Sequence, residues 1–116
     1  MKNYKKLKVW EMGCVIAERT YRLLQDLDRD DRLVFATQAN RAALSIPSNI
    51  AEGGSRRSAK DNARFVEIAL GSSYELETQL LVMQKLQLLS TGVEELMALI
   101  DEEQKMLFGY LTRLRT

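Results

Sequence analysis

The run Ser45-Ile46-Pro47-Ser48-Asn49-Ile50-Ala51-Glu52-Gly53-Gly54 decides how this chain folds. Upstream of it Phe35, Ala39 and Ala42 recur at helical spacing, and Ile46 and Ile50 continue that stripe across the proline. Gln38, Arg41, Ser45, Ser48 and Glu52 keep step on the opposite face. A helix that stopped at Pro47 would throw the two stripes out of phase, and they stay in phase. Proline removes one backbone donor and crowds the carbonyl of Ala43, so the spacing predicts one helix from about Arg32, kinked at Pro47 rather than ended there. Gly53-Gly54 is the expected stop, because glycine takes the left-handed cap conformation at little cost.

Three more amphipathic segments surround this one. Ser58 is the expected N-cap of the next helix, with Asp61 completing a capping-box-like pair. Val66, Ala69, Ser73, Leu76, Leu80 and Met83 form its inward stripe, which reaches about Gln87. Gly71-Ser72-Ser73 sits mid-helix, where glycine costs about 1 kcal/mol relative to alanine, so a neighbouring helix is expected to approach closely there. On the N-terminal side a helix runs from about Leu7 to Leu27. Its stripe is Trp10, Cys14, Ala17, Tyr21 and Leu24, widened by Val9, Met12, Ile16, Leu23 and Leu27. Asp28-Arg29-Asp30-Asp31 ends it and supplies a capping carboxylate for the helix that follows. Thr91-Gly92-Val93-Glu94 reads as a capping box opening the last helix, which runs to about Arg113. Val93, Leu96, Ile100, Leu107, Leu111 and Leu114 face the core there.

Nothing alternates like a strand. Helices of about 20 residues are roughly 30 Å long, and short links force neighbours to run antiparallel. The expected fold is all-α: an antiparallel up-down-up-down four-helix bundle, one domain over residues 1–116.

Composition limits the chemistry. The chain has 116 residues, 46% hydrophobic and 28% charged, as in an ordinary globular domain. No apolar run approaches the roughly 20 residues that span a bilayer, and the Lys-rich start lacks the apolar stretch of a signal peptide, so a cytoplasmic protein without membrane contact is expected. With no histidine there is no Ser-His or Cys-His nucleophile pair and no imidazole ligand. Cys14 alone builds no thiolate metal site. Glu75 and Glu77, like Glu94 and Glu95, fall on different helix faces and form no acid/base dyad. The sequence therefore predicts no enzyme, no metal and no cofactor.

Two surpluses remain. Val15, Val34, Leu70, Tyr74, Leu81, Met97, Leu99, Met106 and Phe108 lie off the main apolar stripes, which favours self-association. Charge is also uneven. Residues 1–64 hold thirteen basic and eight acidic side chains, and residues 65–116 hold four and eight. The basic side concentrates in Lys2, Lys5, Lys6 and Lys8, and in Arg56, Arg57, Lys60 and Arg64; the acidic side in Glu94, Glu95, Asp101, Glu102 and Glu103. The turn Gly53-Gly54-Ser55-Arg56-Arg57-Ser58 offers guanidinium groups and a helix N-terminus to a phosphate, although it lacks the P-loop spacing. The alternative is a solvated turn whose arginines pair with Asp61, Glu67 or a neighbouring subunit.

Several of these residues carry a resemblance. Val9-Trp10, Thr37-Gln38, Arg41-Ala42-Ala43 and Ser45-Ile46-Pro47-Ser48-Asn49-Ile50-Ala51-Glu52-Gly53 resemble the bacterial four-helix-bundle family named after intervening sequences in 23S ribosomal RNA genes. Phe65, Glu67-Ile68-Ala69, Gly71-Ser72 and Glu75-Leu76-Glu77-Thr78-Gln79-Leu80 continue the match. The resemblance implies a ring-like homopentamer with no known catalytic activity. It extends to accessory proteins of diversity-generating retroelements, whose basic barrels associate with reverse transcriptase and nucleic acid. Within the motif, Asn49 is expected to satisfy backbone groups freed by Pro47, and Glu52 to pair with Arg41 or Arg56, with Ser45 and Ser48 sharing their stripe.

The expected function is that of a non-enzymatic homo-oligomeric scaffold that contacts RNA, DNA or a nucleic-acid enzyme through Lys5, Lys6, Lys8, Arg41, Arg56, Arg57, Lys60 and Arg64. The alternative is a protein–protein adaptor without nucleic-acid contact, whose charge asymmetry orders its subunits.

Overall fold

A computed structural model describes residues 3–116; Met1 and Lys2, including the first lysine of the basic run, lie outside the described residues. A 3-10 turn, Tyr4–Lys6, is capped by the Asn3 side chain, which accepts from the Lys5 amide at 3.2 Å. Four helical rods follow. The first, α1, is Lys8–Leu24. The second, α2, joins a first turn Arg29–Asp31, a π-helical turn Arg32–Ala36 and the α-helix Thr37–Gly54. The third and fourth are α3, Ala59–Lys85, and α4, Val93–Arg115.

The caps explain most boundaries. Asp28 accepts from the Asp31 amide at 2.9 Å, so α2 begins three residues earlier than its apolar stripe predicts. Ser58 accepts from the Asp61 amide at 3.1 Å and opens α3. At the start of α4 the capping residue is Gly92, at φ +100°, and not Thr91; the turn needs a left-handed residue there more than a side-chain acceptor. Helix α2 runs through Pro47 unbroken. Gly53 and Gly54 are not its left-handed cap: both lie inside the right-handed helix, which ends at Ser55 with φ −85°.

Each rod packs on its chain neighbours, and α4 closes on α1, so the four surround one core. Contacts between neighbours run in opposite senses along the chain. Tyr4 meets Gly54 while Gly13 meets Ile46 and Pro47; Gly53 meets Asn62 and Phe65 while Ser45 bonds Ser72. Ile16, Ile46, Ile50, Val66, Leu76, Leu80, Met83, Ile100 and Leu107 are fully buried. The stripes read for α2, α3 and α4 are the buried ones, except that Phe35 and Leu114 are only half-buried.

On α1 the core line differs from the one expected. Val9, Gly13, Ile16, Thr20, Leu24 and Leu27 are buried, whereas Trp10, Cys14 and Ala17 are half-buried and Tyr21 is 57% exposed. The core line departs from the apolar stripe because two of its positions, Gly13 and Thr20, are not hydrophobic in type. Gly13 faces Ile46, Pro47 and Glu103 so closely that an added Cβ would lie 3.2–3.3 Å from each. Thr20 turns its hydroxyl back to the Ile16 carbonyl at 2.7 Å and so enters the core satisfied.

Glu103 is the second departure. The sequence groups it with exposed acids, but it is 0% exposed, and neither carboxyl oxygen has a hydrogen-bond partner among the described residues. Burial pushes its pKa up to about 8, so the group is mainly the neutral acid at pH 7.

Of the surplus apolar residues, Leu70 is buried, and Met97, Leu99 and Met106 are half-buried against the core. Val15, Val34, Tyr74, Leu81 and Phe108 are exposed, as are Leu33, Leu44, Ile68 and Leu86. In the Gly71-Ser72-Ser73 run only the serines meet a neighbour closely; a Cβ on Gly71 would touch nothing within 4 Å.

Candidate nucleic-acid interface

The two basic clusters, about fifty residues apart in the chain, meet at one end of the bundle. The contact that joins them is Tyr4 on Gly54: the Tyr4 Cβ lies 3.1 Å from where a Gly54 Cβ would stand. Tyr4 also sets its ring edge-on to Trp10, with centroids 5.4 Å apart. These contacts hold the turn bearing Lys5 and Lys6 against the end of α2, beside the turn bearing Arg56 and Arg57.

The C-terminal turn of α4 completes this end. Arg56, Arg57, Ser58, Asn62 and Leu114 line a hollow of about 330 Å³. Next to it Lys60, Arg64, Glu67, Leu114 and Arg115 line another of about 440 Å³. Around the side, Lys6 and Lys8 share a hollow with Tyr110 and Arg113. Asn62 fixes the α3–α4 contact below the surface by donating to the Tyr110 hydroxyl at 3.2 Å.

The cations are not equivalent. Arg56 bridges to Glu52 at 3.2 Å and lies over the Phe65 ring at 4.5 Å, so its guanidinium is positioned. Arg64 is 3.6 Å from Asp61, and Arg115 is 2.7 Å from Glu67. These pairs are about half exposed or more, so they contribute little to stability and orient the side chains at small cost. Lys5, Lys6, Lys8, Arg57 and Lys60 form no ion pair among the described residues. Asp61 and Glu67, which the alternative reading assigns to the turn's arginines, pair instead with Arg64 and Arg115.

Arg41 does not join this end. It stands thirteen residues before Gly54 on α2, about 20 Å away at 1.5 Å per residue, exposed on the flank. Glu52 accordingly pairs with Arg56 and not with Arg41. Arg113 and Arg115 belong here although the sequence clusters omit them. Their signal was the antiparallel order itself, which returns the end of the fourth helix to the start of the first and third.

The remaining motif residues are structural. Asn49 donates its amide to the Ser45 carbonyl at 2.8 Å and to the Ser45 hydroxyl at 2.9 Å. Ser45 and Ser72 share a hydrogen bond of 2.7 Å across the α2–α3 contact. Pro47 is buried against Gly13, and Ser48 faces outward. Gly53 allows contact with Asn62 and Phe65. Among the described residues no group of His, Cys, Asp and Glu is arranged to hold a metal ion, and no helix is long and apolar enough to cross a membrane.

The motif and the bundle lead to one family. The model of the 23S rRNA-intervening sequence protein family matches residues 5–109. The chain belongs to that family. The match takes in the whole Ser45–Gly53 motif and all of α1, α2 and α3, and it reaches most of α4. Among curated proteins none matches this member of the 23S rRNA-intervening sequence proteins.

Proposed function

We propose that this protein is a non-enzymatic, homo-oligomeric scaffold that binds RNA or DNA, alone or as part of a nucleoprotein, through the basic end of its bundle. What supports this reading is that Lys5, Lys6, Lys8, Arg57 and Lys60, none of them ion-paired among the described residues, lie at or beside the same end of the bundle as the positioned Arg56. A cluster of like charges costs free energy that phosphate groups relieve, and counterions released from nucleic acid add to the affinity. The non-enzymatic reading rests on the absence of histidine from the sequence and on the resemblance.

Retention of labelled single-stranded RNA and DNA, followed against salt, tests the proposal. For roughly six phosphate contacts the affinity falls by about two to three decades between roughly 50 and 200 mM salt. Arg56→Ala with Arg57→Ala weakens binding at every sequence and flattens the salt slope by about 1–2. Retention indifferent to salt and to this double variant overturns the reading in favour of a protein–protein adaptor.

Self-association is supported by the exposed apolar side chains. Leu33, Leu44 and Phe108 are 58–65% exposed, more apolar surface than a single copy needs to show. Light scattering is expected to give a multiple of 13.3 kDa. The family resemblance makes five copies, about 66 kDa, the expected multiple. A folded single copy at micromolar concentration overturns it.

A further inference from the structure

We propose that the contact between α1 and α4 is a proton-gated seam, closed over Glu103 as the neutral acid and loosened when that carboxyl group ionises.

Three observations meet here. Glu103 reaches inward from α4 until its Oε2 lies 3.2 Å from where a Gly13 Cβ would stand, at 0% exposure. The same Gly13 position lies 3.3 Å from the Pro47 nitrogen, which has no hydrogen to donate, and neither carboxyl oxygen has a partner among the described residues. A neutral acid tolerates such a site; a carboxylate deprived of water and of donors does not. Second, α1–α4 is the most sparsely packed of the four contacts between the helical rods. Third, its outer lining is a shallow apolar groove formed by Met12, Val15, Leu99 and Met106, with Lys8 and Glu11 at the rim. Methionine side chains adapt readily, so this is the wall through which water reaches an ionised Glu103.

Few groups facing Glu103 compete for its proton. From α1 the ionisable neighbour is Cys14, whose thiol is itself pushed up, first by burial and then by Glu103. From α2, Ile46 and Pro47 pack on the same Gly13 and do not titrate. Glu77 of α3 is engaged by Gln104 at 3.2 Å, and on α4 itself Asp101 is paired with Lys105 at 3.3 Å on the exposed face.

Hydrogen exchange of the full chain tests the seam, with rates corrected for the intrinsic pH dependence of exchange. Between about pH 6 and about pH 9 protection in α1 and α4 is expected to fall about a hundredfold, and at each pH to stay well below that in the centres of α2 and α3, whose exchange needs the whole bundle to unfold. Glu103→Gln removes the pH dependence and keeps the shape; Glu103→Met does the same should the glutamine variant fail to fold. Unchanged protection in the parent, α1 and α4 amides protected as strongly as the centres of α2 and α3 at high pH, or the same loss in either variant overturns the proposal.

Discussion

Gly53→Ala is expected to destabilise the protein by about 2–3 kcal/mol, although alanine is intrinsically the better helix former. An ideal Cβ at Gly53 would lie 2.5 Å from Asn62 Oδ1, 3.0 Å from Phe65 Cβ and 3.1 Å from the Asn62 carbonyl oxygen. The first of these can move only by disturbing the buried Asn62–Tyr110 hydrogen bond, and the others are anchored close to the α3 backbone. The helices must therefore separate. Separation strains the turn that carries Arg56 and Arg57, so the nucleic-acid affinity proposed for that end is expected to fall as well. Gly71→Ala is the control: it meets nothing within 4 Å and should stabilise by up to about 1 kcal/mol. Denaturant unfolding of both variants at one protein concentration measures the pair. Equal midpoints for parent and Gly53→Ala would mean that α2 and α3 do not approach this closely.

These two glycines also separate what the sequence made legible from what it did not. Large aliphatic residues at regular spacing on α2, α3 and α4 located their core faces, because burying them dominates the stability of a bundle. The α1 core line was hidden because Gly13 and Thr20 serve there for close approach and self-satisfied burial, neither of which is a hydrophobic signal. The Gly53-Gly54 pair ends a helix in sequence terms, yet its function is contact with α3 and with Tyr4. Glu103 did leave a trace: Leu96, Ile100, Glu103 and Leu107 are spaced as one stripe, but the acidic neighbours Asp101 and Glu102 made it read as solvated surface. The basic clusters were legible as local runs. Their meeting depends on topology and on one tyrosine–glycine contact, which no local spacing reveals.

Removing the Glu103 carboxyl group is the change expected to raise stability most, and the sign follows from linkage. Below about pH 4.5 the acid is protonated in both the folded and the unfolded chain, and ionisation contributes no penalty. Above that the unfolded chain releases its proton while the folded chain, with the pKa pushed up to about 8, retains it. Stability therefore falls by about 1.4 kcal/mol for each pH unit through this window and levels off beyond it, a total of about 4–5 kcal/mol. Glu103→Leu escapes the penalty and fills the same space with apolar atoms, so at pH 7 it should be about 2–4 kcal/mol more stable than the parent. Glu103→Gln should show the same flat profile with a smaller gain, because its amide remains without partners. The difference between parent and variant, measured by urea unfolding across the window at one protein concentration, isolates this group from every other carboxylate. A parent curve parallel to that of Glu103→Leu would mean that the carboxyl group reaches water in the folded state, and the α1–α4 seam would then be open at all pH values.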